Sequence, residues 1–237
     1  VENLSQPKYI INPSYQLNIG NAFSDGLALF KKDTGNILIN YLLTIIMGMI
    51  PLCSLLGLGN FYKACRKIEN GEKTDSGDIF NFDDVIPYLI FAGIMIFGVL
   101  ALLIPVEVVI LVSAVLTERN QEQAPVFVLI MIIAVVIIIA IMMVVSSVMY
   151  YYVAVVALFG VKDFSNAFKI SWKLFKNNAL SSILFSIVIS MVTSVGILLC
   201  GVGILLTLPL AICMRYAATK NIMIRFEEPK IDYEGSL

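Results

Sequence analysis

Residues 85–116 read VIPYLIFAGIMIFGVLALLIPVEVVILVSAVL, and residues 125–159 read PVFVLIMIIAVVIIIAIMMVVSSVMYYYVAVVALF. The first holds one charged residue, Glu107, and the second holds none. Both exceed the roughly 18 apolar residues that mark a membrane-crossing helix. At 1.5 Å per residue the first run spans about 48 Å against a hydrocarbon core of about 30 Å, so it must tilt, bend at Pro105 or project beyond the bilayer. The short polar stretch 117–124 (TERNQEQA) joins the two into a tall central hairpin, residues 85–160.

The composition agrees with this reading. The 237 residues are 59% hydrophobic and 14% charged, where a soluble domain carries about 25% charge. A net charge of -1 gives no reason to expect nucleic acid, and no secretory signal is evident. Histidine is absent, which removes the commonest general base and transition-metal ligand. Cys53, Cys65, Cys200 and Cys213 show no C-x-x-C pairing and read as small buried hydrophobes. A Cys53–Cys200 bridge is possible, although no spacing argues for it.

Outward from the hairpin, the chain divides into a flexible arm (1–16), a first unit (17–84), a second unit (161–224) and a polar tail (225–237). Residues 17–32 gather Ile19, Ala22, Phe23, Leu27, Leu29 and Phe30 on one face, with Asn21, Asp25, Lys31 and Lys32 on the other. A helix of this pattern lies in the membrane interface. Residues 36–68 read as two short legs, 36–50 and 51–68, turning near Pro51. One crossing plus an interfacial helix remains an alternative. Residues 164–178 are again amphipathic, with Phe164, Phe168, Ser171, Trp172 and Phe175 on one face and Lys169, Lys173 and Lys176 opposite. Asp163 is placed to cap this helix. Residues 180–199 and 203–224 form a last hairpin around Cys200-Gly201-Val202-Gly203.

Threaded this way, fifteen of the sixteen Lys and Arg residues fall on one side of the membrane, and only Arg119 falls on the other. Positive charge beside membrane spans marks the cytoplasmic side. The expectation is a bacterial inner-membrane protein with both termini cytoplasmic, all-α and polytopic, with about six transmembrane helices and two interfacial amphipathic helices. An internal repeat is also expected. Asn21-Ala22-Phe23 recurs as Asn166-Ala167-Phe168, and Leu29-Phe30-Lys31 as Leu174-Phe175-Lys176. The order interfacial helix, hairpin, basic exit occurs on both sides of the central hairpin. Duplication of a stable packing unit explains this, and so does a site formed between repeats, as in transporters.

Few residues suggest chemistry. Glu107 is an ionisable group inside an apolar run, hence a functional candidate by default. It either reaches the outer headgroups or faces the bundle as a protonatable or cation-binding carboxylate. Ser182, Ser186, Ser190 and Ser194 recur every four residues. They either let helices approach closely or form a polar track. Lys31, Lys32, Lys169, Trp172, Lys173 and Lys176 suit helices resting on anionic lipid. Tyr150, Tyr151 and Tyr152 form an aromatic belt or line a cavity. Asp75, Asp78, Asp83 and Asp84 lack calcium-loop spacing, and Asp83 and Asp84 suit a helix N-terminus. No catalytic set, metal site or cofactor is expected.

Three stretches carry a resemblance: Gly59-Asn60-Phe61-Tyr62-Lys63-Ala64 with Gly71-Glu72-Lys73, Asn166 to Asn178, and Cys200 to Tyr216. The chain resembles poorly characterised bacterial multi-pass proteins similar to the membrane domain fused to some glycerophosphodiester phosphodiesterases. The resemblance implies a membrane domain without the phosphodiesterase chemistry, which in such proteins belongs to a separate soluble barrel. The expectation is therefore a non-enzymatic membrane scaffold or accessory subunit, binding lipid and a protein partner or a second copy of itself. The alternative is a transporter or lipid-handling protein with a cavity between the two repeats.

Overall fold

The computed structural model describes residues 9–119, 124–198 and 202–225. Among them are eight α-helices and one two-stranded ribbon: β1 (Tyr9–Ile11), α1 (Ile19–Lys32), α2 (Thr34–Gly48), α3 (Ser54–Asn70), α4 (Val85–Arg119), α5 (Ala124–Phe159), α6 (Phe164–Asn177), α7 (Ala179–Leu198), α8 (Val202–Thr219) and β2 (Met223–Arg225). Three stretches are long and apolar enough to cross a membrane: Val85–Val112, Val128–Phe159 and Ala179–Leu198. The chain is an all-helical membrane protein. Helices α2 and α8 are apolar but shorter.

The core sits at one end of the molecule, around the C-terminal part of α5. Residues Val153 to Val156 of α5 are fully buried, with α3, α6, α7 and α8 packed round them. The same helix is exposed further back, at Val128, Ile132 and Val136 for example. Helix α4 runs unbroken through Pro105 and keeps Ile86, Phe97 and Leu111 exposed. At 35 and 36 residues, α4 and α5 are each about 50 Å long. The hairpin they form leaves the core with its apolar side chains turned outward, as a lipid-solvated helix pair does. Its connection, 120–123, lies outside the described residues.

Aromatic side chains fill the core. Tyr152 stacks on Phe91 at 4.3 Å and meets Tyr88 edge-on at 6.5 Å, and its hydroxyl donates to the Pro87 carbonyl at 2.8 Å. Tyr62 of α3 meets Tyr216 of α8 edge-on at 6.0 Å. Such offset contacts suit the ring quadrupole. In lipid, helix association depends on close packing rather than on expelling water, and three glycines permit it. A Cβ on Gly26 would lie 2.5 Å from the Met214 Cα where α1 crosses α8, and one on Gly59 would lie 2.3 Å from the Tyr88 hydroxyl. One on Gly196 would lie 2.1 Å from Thr207 Oγ1.

Polar turns set the element boundaries. Asn18 and Asp163 cap α1 and α6, each accepting from the backbone N–H three residues on. Gly71 ends α3 in the left-handed conformation, φ 76°, which glycine adopts without strain. The α2–α3 turn holds Pro51 and Leu52, the latter at φ 66°. The acidic stretch before α4 forms a 3-10 turn, Ser76–Phe80, closed by a reciprocal Asp75–Asp78 capping box.

Three expectations are corrected. The arm is not free from residue 9 onward: β1 pairs antiparallel with β2, Ile10 opposite Ile224, because an extended apolar Tyr-Ile-Ile segment finds the unpaired backbone beyond α8. Helix α8 stops at Thr219 rather than 224, since residues 223–225 form that strand. On α6 the buried face is Ala167, Ser171, Leu174 and Phe175, while Phe168 and Trp172 are exposed. Trp172 therefore shares the lysine face, and Lys176 sits over its ring at 5.6 Å. Residues 1–8 and the tail beyond 225 lie outside the described residues.

The α1–α8 crossing gives an opposed pair of substitutions. Gly26→Ala should destabilise the protein by about 1–3 kcal/mol, because backbone rather than a flexible side chain blocks the new methyl. Gly35→Ala, with nothing within 4 Å of its Cβ, should be neutral or stabilising by about 1 kcal/mol at most. Thermal denaturation of both variants in one detergent checks the signs.

Candidate functional site: a basic pocket beside α5

A cavity lies where α5, α7 and α8 meet. Ser147, Tyr150 and Tyr151 of α5, Ser182 and Ser186 of α7, and Arg215 of α8 line a half-open cavity there. It holds about 20 Å3 of free volume, room for about one water. The hydroxyls are linked: Tyr151 lies 2.9 Å from Ser182 Oγ, and Ser147 lies 3.4 Å from Ser186 Oγ. Helical spacing produces the arrangement, since residues four apart on α5 and on α7 share one face.

Arg215 is the unusual member. It is the single charged residue of α8, one turn before the helix ends. Its guanidinium lies flat against Tyr150, 3.4 Å from the ring centroid, a cation–π contact. Among the described residues no carboxylate pairs with it. The criterion that picks out Glu107, an ionisable group inside an apolar run, would have found Arg215 in the sequence as well. It was missed because its segment was read for topology.

The arm closes the pocket on one side. Leu17 contributes to the lining, and its N–H donates to Asn178 Oδ1 at 2.9 Å. The Tyr15 hydroxyl donates to the Ala218 carbonyl at 2.8 Å and also contacts Tyr151. Burial, with Tyr151 beside it, pushes the Tyr15 hydroxyl far above its ordinary pKa, so it stays a neutral donor. Beyond Leu17 and Ala218 lies a larger surface pocket of about 270 Å3, lined by the arm, α1 and the end of α8.

Around this end of the bundle, ion pairs tie the helices together. Lys220 sits between Glu69 at 2.7 Å and Asp25 at 3.3 Å, and the Tyr216 hydroxyl donates to Glu69 at 2.6 Å. Burial raises the Glu69 carboxyl, but Lys220 and Tyr216 outweigh it and hold the group below its usual range. Asp84 does not cap α4 as its position suggested. It accepts from Lys63 at 2.7 Å, and Lys162 lies 2.9 Å from its other oxygen as an ion pair without hydrogen-bond alignment. It thereby joins α3 to the α5–α6 turn. Arg66 donates to the Leu158 carbonyl and lies over the Phe159 ring.

The residues singled out in the sequence do not converge. Glu107 is exposed on the free part of α4, away from the pocket. The serine row divides: Ser182 and Ser186 line the pocket, whereas Ser190 and Ser194 are exposed and donate to carbonyls four residues back. Lys169, Lys173 and Lys176 are exposed on α6 and Lys31 on α1. Lys32 donates to the Glu69 carbonyl at 2.7 Å. Tyr150 and Tyr151 line the pocket, while Tyr152 belongs to the aromatic core. Cys53, Cys65 and Cys213 are buried thiols. Cys200 lies outside the described residues.

A family described as a domain of unknown function (DUF7847) matches residues 82–230, more than half of the chain. The match runs from α4 to β2 and includes the α5, α7 and α8 walls of the pocket. No curated protein and no solved structure matches the chain.

The Asp84 tie predicts acid sensitivity. Burial raises this carboxyl, but Lys63 and Lys162 prevail and hold it below the usual range. Its stabilising effect is complete above the unfolded value of about 3.9 and is lost as pH falls through the lower folded value. Asp84→Asn should cost about 1–2 kcal/mol at neutral pH and flatten the loss of stability below about pH 4. Melting temperatures measured across that range read both effects.

Proposed function

Since the chain belongs to the DUF7847 family, for which no chemistry is given, we propose from its geometry that it is a non-enzymatic membrane scaffold or accessory subunit. It holds lipid and a protein partner or second copy. The α4–α5 hairpin carries this reading: a long apolar pair with side chains exposed along most of its length offers lipid and neighbouring helices the largest surface of the molecule. Helix α6 supports it, with Phe168 and Trp172 exposed beside Lys169, Lys173 and Lys176, the pairing that seats a helix on an anionic surface.

In this proposal α2, α3 and α8 complete six crossings with the three long helices, despite their short lengths. The basic end lies in the cytoplasm of a bacterial inner membrane. Duplication is supported by the caps Asn18 and Asp163, which lie 145 residues apart, as do the two helices that follow them. The packing is unequal, for α1 lies on α8 whereas α6 lies on α5. The resemblance to a phosphodiesterase membrane domain fits a segment that anchors an activity carried elsewhere.

The transport reading rests on a cavity between the repeats. The pocket at Arg215 takes about one water and is walled by α5, α7 and α8, and the pocket of about 270 Å3 between α1 and the end of α8 lies at the surface beside the arm, so the scaffold reading is preferred. In liposomes the protein should give no flux of lipid or small solutes, and after gentle solubilisation it should migrate as a dimer or larger assembly. Flux abolished by Glu107→Gln, or a lone monomer in every mild detergent, would overturn the proposal. Cysteines placed at Ser165 and Asn177 should be labelled only from the cytoplasmic side.

A further inference from the structure

The pocket contains a charge that no carboxylate among the described residues balances. Arg215 is half-buried, one face covered by Tyr150, and no carboxylate among the described residues approaches it. The acidic groups of the neighbouring layer, Asp25 and Glu69, are engaged by Lys220. A cation inside an apolar helix bundle is expensive, and stacking on one tyrosine recovers only part of that cost. The cavity it shares is lined by apolar Leu17, Phe185 and Ala218 and by the hydroxyls of Ser147, Tyr151, Ser182 and Ser186. Ser147 donates to the Met143 carbonyl at 2.9 Å, which leaves the other three hydroxyls as donors, and none of the four carries negative charge.

We infer that this pocket is a binding site for a phosphate group, held by the Arg215 guanidinium and the hydroxyls of α5 and α7. A guanidinium is a planar fork of donors that fits phosphate oxygens in pairs. Its Tyr150 face is closed, so ligand meets it at the edge. The free volume accepts one oxygen-sized group, so the ligand seats a terminal or bridging oxygen there and leaves the rest of its phosphate at the half-open mouth. Arg215 lies one turn inside the end of α8, roughly 6 Å from the helix terminus. A lipid headgroup phosphate of the leaflet at this end reaches that level, and free phosphate reaches it through the pocket beyond Leu17. The inference is independent of the scaffold reading, because it concerns an anion site that a scaffold or a transporter equally could contain.

The test uses the purified full-length chain in a neutral detergent. Its melting temperature is followed against inorganic phosphate and, separately, against short-chain dioctanoyl-phosphatidylglycerol. Chloride at equal ionic strength is the control. Saturable stabilisation by the lipid alone identifies a headgroup site, and stabilisation by both identifies a site for the phosphate group itself. In either case Arg215→Gln should weaken the response roughly tenfold or more, while Lys73→Gln, an exposed residue losing the same charge, should leave it unchanged. No saturable shift with either ligand would overturn the inference, as would an equal response in folded Arg215→Gln protein. If that variant does not fold, Ser182→Ala decides: its affinity should fall severalfold, and undiminished affinity would overturn the assignment.

Discussion

Everything in this molecule is arranged around the change of character along α5. The helix is largely exposed over its first half and buried from Tyr151 to Phe159, although it carries no charge anywhere along its length. A helix satisfies its own backbone hydrogen bonds, so lipid and protein are equally acceptable neighbours for an apolar stretch. The change must therefore come from what packs against it. Near Tyr152 the neighbours are Tyr88, Phe91 and Phe164, large rings whose contacts are directional. Further back the side chains are Ile and Val, which lipid solvates as well as another helix would.

The charged layer at the basic end completes the packing that the rings begin. Lys63, Lys67, Lys162 and Lys220 each meet a carboxylate. Each such pair is weak where water reaches it, but together they span α1, α3, the α5–α6 turn and the segment after α8. These cations thus fasten the helix ends. Arg215 departs from this pattern. It lies one turn deeper, over the Tyr150 ring and on a cavity that hydroxyls also line, with no carboxylate paired to it among the described residues, and this makes the pocket chemically distinct from the surrounding ties.

The apolar runs, the two amphipathic helices, the Asp163 cap and the Pro51 turn were legible because each depends on local periodicity or on a short polar signal. The α6 faces were misassigned, because Phe168 and Trp172 lie at the border of two faces and their apolar character, not their angular position, grouped them with Ser171 and Phe175. Phe168 and Trp172, grouped in the sequence with Ser171 and Phe175, are exposed in the fold. The β1–β2 ribbon was not legible, since it joins segments more than 200 residues apart and neither shows strand alternation long enough to notice.

The order of residues alone determined that this chain forms apolar helices of membrane-crossing length, because hydrogen-bonding backbone and side-chain polarity are local properties. Only the tertiary structure decided that Arg215, Tyr150 and Ser182 share a pocket, that Glu107 stands outside it, and that the arm closes one wall. Those relations depend on which helices approach each other, and that is set by ring contacts, glycine clearances and ion pairs between residues far apart in the chain.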